Sequence, residues 1–259
     1  MSIQSIERVS SILSLFSAQK PQWGNAEIAS SLGLAKTTVS TMLRTMVKIG
    51  FLSQDPETRR YTLGHRLFTL GMIAGDTLEI NQKAQGPAQN LAERTGLICR
   101  VGIWDRDAVV TTLNIVPRDV EFLARQIGPR VVAYCTSLGR AILAYLAAED
   151  LENYLKKTKM TPFTRNTITR KDRLLKELKE TRIRGYSVNK EEYILGRASI
   201  AAPIFGRAGL VNAAISLTGS PEGLLESELK QHARHLLDTA TEISRLMGHR
   251  LEAPWRMSA

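Results

Sequence analysis

A cluster of hydroxyl and basic side chains lies in the segment LGLAKTTVSTMLRTM, residues 32–46. Hydroxyl residues are poor helix formers because their side chains compete for backbone hydrogen bonds, yet they crowd the first turns of a helical pattern. Short hydroxyl and basic side chains at the start of a helix can reach phosphate oxygens and base edges in a DNA major groove. We therefore expect DNA contacts from Lys36, Thr37, Thr38, Ser40, Thr41 and Arg44.

The apolar residues of the same segment support this assignment. At helical spacing, Val39, Leu43 and Met46 share one face, and the polar residues other than Thr38 share the opposite face. The poor helix formers therefore lie on the side that faces solvent or a partner. The alternative interpretation is a solvated polar helix face that contacts nothing.

The elements around this segment follow the order of a winged helix-turn-helix domain in residues 1–63. A helix is predicted in IQSIERVSSILSLF, and a second runs from the N-cap Asn25 to Gly33, where a tight turn leads into the hydroxyl-rich helix. FLSQ and RYTL then predict two short strands, joined by the turn-forming DPETRR. Arg59 and Arg60 lie at the hairpin tip, where a wing would touch the DNA backbone or minor groove, although an ordinary charged turn is the alternative.

The remainder of the chain alternates between helical and strand patterns, which predicts a mixed α/β architecture. A linker helix is expected over residues 64–80, followed by a helix in QGPAQNLAERTG that ends at Gly96. Strands are predicted in LICRVGIW, AVVTTLNIV, VEFLARQI, YSV, SIAAPIF and GLVNAAISLTG, and helices in SLGRAILAYL, EDLENYLKK, RKDRLLKELKETRIRG and SELKQHARHLLDTATEISRLMG. These elements predict a sensor-like α/β domain over residues 81–250, followed by a tail over residues 251–259.

The segment AYCTSLGRA is the best candidate for a ligand site outside the first domain. A small polar run leads into an apolar helix, so that free backbone N–H groups near the helix start can hold a carboxylate. The groups concerned belong to Thr136, Ser137, Leu138 and Gly139. A plain Ser/Thr N-cap explains the same residues equally well.

Composition and charge narrow the class of protein. The chain has 259 residues, 43% of them apolar, and its net charge of +10 suits a polyanionic partner such as nucleic acid. Much of the charge outside the first domain lies in KKTKMTPFTRNTITRKDR, which is interpreted as a solvated face. The N-terminal MSIQSIERVSSIL is too polar for a signal peptide, and no apolar run approaches the roughly 20 residues that span a bilayer.

With these motifs in place, the chain resembles the IclR family of bacterial transcription regulators from about Ile3 to Gly248. The resemblance rests on SIERVSSILSLF, AEIASSLGLAKTTVSTMLRTMVKIGFLSQDPETRRYTLGHRLFTLG, TSLGRAILAYL, TITRKDRLLKELKETRIRGYSVNKEE and SIAAPIFGRAGLVNAAISLTG. It implies a winged helix-turn-helix domain, a linker helix and a C-terminal effector-binding domain similar to the GAF fold. It also implies homodimers that often pair into tetramers, and palindromic double-stranded operators whose binding is modulated by a small effector, often a carboxylate or aromatic acid of a catabolic pathway. No cofactor is expected.

The resemblance also places an effector pocket. By this resemblance the pocket residues are Tyr134, Cys135, Thr136, Ser137, Leu138, Gly139, Asn189, Glu192, Ser199, Ser216 and Thr218. The chain departs from the family pattern at Tyr134, where many members have His, at Asn189, where an acidic residue is usual, and at Ser199, where Cys is common. Its Arg197 lies one place before the usual Arg. We expect the departures at Tyr134 and Ser199 to alter which ligand binds.

An enzyme is the main alternative class, and the sequence offers little for it. Cys99 and Cys135 are far apart and in no CxxC pair, which predicts reduced, buried thiols in a cytoplasmic protein. His232 and His235 share one face of the final helix, but no third ligand with convincing spacing accompanies them, so a solvated or half-buried face is expected and no metal site. GxSxG, P-loop and GxGxxG motifs are missing, and we expect no catalytic residues.

A third alternative is a DNA-binding protein whose C-terminal part only oligomerises. The sequence leaves this alternative open. A bound effector should raise the melting temperature by mass action, whereas a purely architectural protein should show no such response.

Overall fold

The computed structural model describes residues 3–17, 19–117, 130–226 and 228–250. The chain divides into two compact units, Met1–Asp76 and Thr77–Ala259. The predicted strand VEFLARQI and the predicted tail over residues 251–259 lie outside the described residues. In the described part of the chain, no helix is long and apolar enough to cross a membrane.

The first unit contains three helices, a hairpin and a fourth helix. These are α1 (Gln4–Leu13), α2 (Asn25–Leu32), α3 (Lys36–Lys48), β1 (Leu52–Gln54), β2 (Tyr61–Leu63) and α4 (His65–Thr77). The core joins one apolar face of each of the first three helices to the hairpin, through residues such as Ile12, Ile28, Leu43 and Tyr61. The predicted order of helices and strands is confirmed.

The start of α2 differs from the prediction, because Asn25 is the first helical residue and Gly24 is the N-cap. The Glu27 carboxylate, in the first turn of α2, accepts the Gly24 N–H at 2.7 Å. This bond from a first-turn side chain back to the backbone of the N-cap residue is one half of a capping box. The end of the helix agrees with the prediction, since Gly33 adopts a left-handed conformation with φ of 63°.

The hairpin has the predicted turn chemistry. Strands β1 and β2 pair antiparallel, with Leu52 opposite Leu63. The Asp55 carboxylate accepts the N–H groups of Glu57 and Thr58, at 3.0 and 2.7 Å, and closes the turn. The Thr58 donors, followed by Glu57, lower the pKa of Asp55, which therefore holds the turn in its charged form.

The linker region differs from the prediction in its boundaries. Helix α4 ends at Thr77, and a long helix α5 (Glu79–Thr95) begins after Leu78, whose extended backbone separates the two. The helix was predicted in QGPAQNLAERTG, from residue 85, whereas α5 begins at Glu79 and contains Pro87 in its interior. Pro87 removes only one backbone N–H donor from the hydrogen bonds of α5. Buried residues on both sides of Pro87 keep the helix packed on the core.

The second unit is built on a six-stranded antiparallel sheet in the order β5-β4-β3-β8-β7-β6. The strands are β3 (Ile98–Asp105), β4 (Ala108–Ile115), β5 (Arg130–Val132), β6 (Ser187–Lys190), β7 (Ala198–Phe205) and β8 (Val211–Gly219). The remaining helices are α6 (Ser137–Leu143), α7 (Ala148–Lys157), α8 (Lys171–Arg184) and α9 (Leu229–Leu246), with a π-helical turn at Glu222–Glu226. The short strand β5 and the π-helical turn were not predicted.

Helices cover both faces of this sheet, which is why strand β7 is apolar along almost its whole length. On one face, α5 and α9 pack on side chains that include Ile200 and Ile215. On the other face, α6, α7 and α8 pack on side chains that include Ala201 and Ala214. Successive residues of a strand point to opposite faces, so Ser199, Ser216 and Thr218 all lie on the α6 side.

Candidate functional site

The predicted recognition face of α3 points to solvent. Val39 and Leu43 are completely buried on the opposite face, together with Met46. Lys36, Thr37, Thr41 and Arg44 are exposed, whereas Thr38 and Ser40 are half-buried. The structure therefore brings the four exposed residues together on one accessible surface of the helix.

The hydroxyl groups on this face bond to their own helix. Thr41 Oγ1 donates to the Thr37 carbonyl and Thr45 Oγ1 to the Thr41 carbonyl, each at 3.1 Å. Each hydroxyl oxygen keeps lone pairs that can accept bonds from base amino groups, and each hydroxyl can rotate to donate instead. Thr45 and the exposed Lys48 continue the face by helical spacing, and the sequence analysis did not include them.

The two arginines of the wing differ in their surroundings. Arg59 is exposed in a left-handed conformation, with φ of 57°, and its guanidinium bonds to no other described residue. Arg60 Nη2 lies 2.7 Å from Glu27 Oε2, which joins the wing to α2. The Gly24 N–H, and after it Lys20 and Arg60, lower the pKa of Glu27 and keep this partner charged.

The second unit contains a cavity of about 220 Å³ on the α6 side of the sheet. Eight predicted effector residues line it: Cys135, Thr136, Ser137, Leu138, Asn189, Ser199, Ser216 and Thr218. The lining residues that were not predicted are Ile98, Arg100, Thr111, Val131, Tyr193, Ile194, Arg197 and Ala198. The cavity wall therefore combines polar groups from the sheet and from the start of α6 with apolar side chains such as Ile98 and Leu138.

Three predicted effector residues do not line the cavity. The Tyr134 hydroxyl donates to the Thr161 carbonyl at 2.6 Å, and its ring is buried away from the cavity. Gly139 packs so closely on the backbone that a Cβ there would lie 2.3 Å from the Cα and O of Ala133. Glu192 forms an ion pair with Arg140.

The Arg140–Glu192 pair belongs to a buried network that frames the cavity. Arg140 Nε donates to the Tyr134 carbonyl at 2.8 Å, and Glu192 Oε2 accepts the Ile168 N–H at 3.1 Å. Asn189 connects the two sides, because its Nδ2 donates to the Cys135 carbonyl at 2.6 Å and its Oδ1 accepts the Glu192 N–H at 3.3 Å. The network fixes the segment before α6 against the segment after β6.

The start of α6 has an ordinary side-chain cap. Thr136 is the N-cap residue, and its Oγ1 accepts the Gly139 N–H at 3.3 Å. One of the backbone donors proposed for a carboxylate is thus already bonded, as the plain N-cap interpretation requires. Ser137 and Leu138 remain at the cavity wall.

Two arginines are the main cavity residues that sequence reasoning missed. Arg100 lies on β3, and its Nη1 donates to Thr218 Oγ1 at 3.1 Å. Burial, and after it the positive charge of Arg197, lower the pKa of Arg100. The signal for Arg100 was present, since a charged residue interrupts the apolar strand LICRVGIW. Arg197 lies between β6 and β7, and it reaches the cavity wall only because of the way this segment folds.

The cysteine and histidine residues that the sequence analysis singled out are buried or half-buried. Burial raises the pKa of both Cys99 and Cys135 to about 12, so neither is a ready thiolate nucleophile. His232 is buried, with Nε2 at 3.4 Å from Glu228 Oε2, and His235 is half-buried. Among the residues described, no three His, Cys, Asp or Glu side chains are grouped so as to hold a metal ion.

A winged helix-turn-helix unit followed by an α/β unit with a polar cavity defines a DNA-binding transcription regulator. The sequence matches "IclR helix-turn-helix domain" over residues 5–56 and "Bacterial transcriptional regulator IclR C-terminal" over residues 73–245. The chain belongs to the IclR family of bacterial transcriptional regulators. The family consists of regulators rather than enzymes.

Individual relatives agree with this assignment. The chain is 30% identical to the HTH-type transcriptional regulator XynR of Escherichia coli K12, over 95% of this chain and 98% of the relative. An IclR-type regulator from Alicyclobacillus acidocaldarius has a TM-score of 0.85 at 27% identity, over 96% of this chain and all of that one (100%). An IclR homologue from Microbacterium hydrocarbonoxydans, complexed with 4-hydroxybenzoate, has the same fold, with a TM-score of 0.78 at 22% identity over 94% of this chain and 98% of that chain.

Proposed function

We propose that this regulator binds operator DNA through the exposed face of α3 and that a small organic acid in the cavity controls its affinity for the operator. The observation that carries the proposal is the cavity of about 220 Å³, which has guanidinium, hydroxyl and amide groups in its wall. Pockets for drug-sized ligands measure about 300–1,000 Å³, so this cavity suits a small metabolite. The 4-hydroxybenzoate in the Microbacterium homologue is a small aromatic acid and supports this class of effector.

The DNA contacts divide between the helix and the wing. Thr37 and Thr41 contact base edges or phosphates, Lys36 and Arg44 contact phosphates, and Arg59 contacts the backbone or minor groove. Thr38 and Ser40 contribute less, because they are half-buried. Arg60 holds the wing in place through Glu27.

The effector contacts come from the cavity wall. Ser137, Asn189, Ser199, Ser216 and Thr218 offer hydroxyl and amide groups for an acid and its substituents. Cys135, Thr136 and Leu138 complete the wall. The residues behind it, Tyr134, Gly139 and Glu192, keep its shape rather than touch the effector.

The regulator acts in the cytoplasm as a homodimer, with dimers able to pair into tetramers. A dimer offers two recognition helices to successive major grooves about 34 Å apart, which explains a palindromic operator. An effector changes operator affinity only if it binds the DNA-competent and DNA-incompetent states with different affinity.

The test combines ligand binding with DNA binding on the full chain. A labelled operator is first selected from a random DNA library by the protein itself, and its affinity is measured by fluorescence anisotropy with and without each acid of an aliphatic and aromatic panel. An acid that raises the melting temperature is expected to change operator affinity. Ser199→Trp, which fills the cavity, should abolish both effects of the acid and leave operator binding intact. Ser220→Trp, on an exposed residue outside the cavity, is the control and should keep both effects of the acid as well as operator binding. Operator binding without a response to any acid would overturn the effector role and favour a C-terminal unit that only oligomerises.

A further inference from the structure

A strongly basic stretch of the second unit, residues 156–173, contributes nothing to the cavity wall. It contains seven Lys or Arg residues and a single acidic residue, Asp172. All seven basic residues are exposed. The stretch begins with the last two residues of α7, continues through the loop and ends in the first turn of α8. Its sequence alone favours a solvated face, and the structure adds how the charges are paired and supported.

Most of these positive charges have no carboxylate partner. Lys156 pairs with Glu152, and Arg170 pairs with Asp172. The remaining five form no ion pair with any described residue, and we refer to them as the basic surface: Lys157, Lys159, Arg165, Lys171 and Arg173. Soluble protein surfaces generally mix charges of both signs, because neighbouring like charges repel one another. A surface that carries one sign only therefore suits an anionic partner.

The loop that carries the middle of the basic surface is fastened to the segment after β6. Thr164 Oγ1 donates to the Glu191 carbonyl at 2.7 Å, and Thr167 Oγ1 donates to the Glu192 carbonyl at 2.6 Å. The Ile168 N–H donates to Glu192 Oε2 at 3.1 Å. The charges therefore lie on an ordered support, which lowers the entropy that a partner would have to remove on binding.

The parts of the stretch lie on one side of the second unit. Helices α6, α7 and α8 all pack on the same face of the sheet. Tyr134 joins the end of α7 to the loop, because its N–H donates to the Tyr154 hydroxyl at 3.1 Å and its own hydroxyl donates to the Thr161 carbonyl at 2.6 Å. A single extended partner can therefore contact charges from both helix ends and from the loop.

The composition of this surface favours phosphate groups over another protein. Three of its five residues are Lys, which is depleted in protein–protein interfaces but is a common phosphate ligand. The exposed hydroxyls of Thr161 and Thr169 are groups that donate to phosphate oxygens. The one exposed large apolar side chain between residues 156 and 173 is Phe163, whose ring already packs on Tyr193 with centroids 4.9 Å apart. The stretch thus lacks the apolar centre of a protein interface.

We infer that the basic surface binds the phosphate backbone of DNA that flanks the core operator, without reading its sequence. The core operator is the shortest duplex that keeps sequence-specific binding. This contact goes beyond the recognition helix, because it gives the second unit a share of the affinity and of the salt dependence but none of the specificity.

The test compares two duplexes on the full-length protein. One is the core operator, and the other adds about two helical turns (~20 base pairs) of unrelated sequence on each side. The extended duplex should bind at least about tenfold more tightly at low salt, and its slope of log K against log salt should be steeper by about 0.9 for each added phosphate contact. A second pair of flanks with a different base composition should give the same gain.

A triple variant assigns the gain to the basic surface. Lys157→Gln, Lys159→Gln and Arg165→Gln together should remove most of the gain from the flanks and leave binding of the core operator unchanged. The matched control is the triple variant Lys230→Gln, Arg234→Gln and Arg245→Gln, which removes the same charge from exposed positions of α9, on the opposite face of the sheet. This control should keep the gain. Melting temperatures of both variants check that they are folded.

Three results would overturn the inference. Equal affinity and equal salt slope for the two duplexes would mean that flanking DNA is not contacted, and would leave operator binding through α3 standing. Equal losses in the two triple variants would assign the gain to net charge rather than to this surface. If the first triple variant keeps the gain but binds poly-L-glutamate more weakly than wild type does, the partner is an acidic protein instead of DNA.

Discussion

Arg140 and Glu192 form an ion pair that is buried between α6 and the segment after β6. Arg140 Nη1 lies 2.6 Å from Glu192 Oε1, and the side chains are only 1% and 9% exposed. A second contact joins Arg140 Nη2 to Glu192 Oε2, so the pair is bidentate. The segment that Glu192 fixes also carries Tyr193 and Arg197 of the cavity wall, and the pair therefore determines the shape of the ligand site.

Removal of one partner from this pair should be strongly destabilising. Glu192→Ala leaves the Arg140 guanidinium buried without a counter-charge, which typically costs about 3–5 kcal/mol of unfolding free energy. Urea denaturation of the full chain measures this cost. Glu152→Ala is the matched control, because Glu152 forms an exposed ion pair with Lys156 and its loss should change stability little. A Glu192→Ala protein as stable as the control would mean that the pair does not hold the segment.

The two wing arginines should separate DNA binding from folding. Arg59→Ala should weaken operator binding without a change in melting temperature, because the exposed Arg59 guanidinium has no hydrogen bond or ion pair with another described residue. Arg60→Ala should lower the melting temperature, because it breaks the contact at 2.7 Å that joins the wing to Glu27. Anisotropy and thermal unfolding of both variants check the two effects, and the reverse pattern would show that Arg60 is the DNA contact.

The basic residues of α3 should appear in the salt dependence of operator binding. Lys36→Ala and Arg44→Ala should each reduce the slope of log K against log salt by about 1, because each phosphate contact releases bound counterions. Binding of the effector should not change. Lys230→Ala, on an exposed residue of α9, is the control and should leave the slope unaltered. If neither α3 variant changes operator affinity, the recognition face is assigned to the wrong side of the helix.

Local patterns predicted most of the first unit. Periodicity placed Val39 and Leu43 inside and Lys36 and Arg44 outside, and the structure agrees, because one helix face has to cover one core. The cap of α2 was assigned one residue late, because the Glu27 carboxylate reaches back to Gly24, an interaction that residue preference alone does not reveal.

The ligand cavity depended on tertiary structure that local patterns cannot supply. Arg100 reaches the cavity because its strand, β3, pairs with β8. The partner of Arg100 on β8, Thr218, is 118 residues away in the sequence. Such a non-local pairing leaves no mark on the periodicity of either strand. Glu192 was expected in the pocket, but it forms a buried ion pair with Arg140 instead. The sequence did not indicate that these two residues would pair.

Two glycine positions should respond to alanine in opposite directions. Gly139→Ala places a Cβ about 2.3 Å from the Ala133 backbone, which cannot yield as a flexible side chain can, and should lower stability markedly. Gly71→Ala lies in the interior of α4, where the new Cβ meets no atom within 4 Å apart from its chain neighbours and the backbone of its own helix, and it should stabilise the helix by about 0.5–1 kcal/mol. Thermal unfolding measures both changes. A stable Gly139→Ala protein would show that the chain around Ala133 can move to make room.

The thiol of Cys135 should report on occupation of the cavity. Cys135 lines the cavity, and burial raises the pKa of its thiol to about 12, so the thiol is protonated at pH 8 and very little of the reactive thiolate is present. Alkylation by iodoacetamide should be very slow at pH 8 and should accelerate about tenfold per pH unit while the protein stays folded.

Two single-cysteine variants separate the two thiols. Cys99→Ser leaves Cys135 as the only cysteine and isolates its rate of labelling. Cys135→Ser gives the matched rate for Cys99, which does not line the cavity. A bound effector should slow labelling of Cys135 and leave the rate for Cys99 unchanged. Rapid labelling of Cys135 at pH 7 would contradict the buried, protonated thiol.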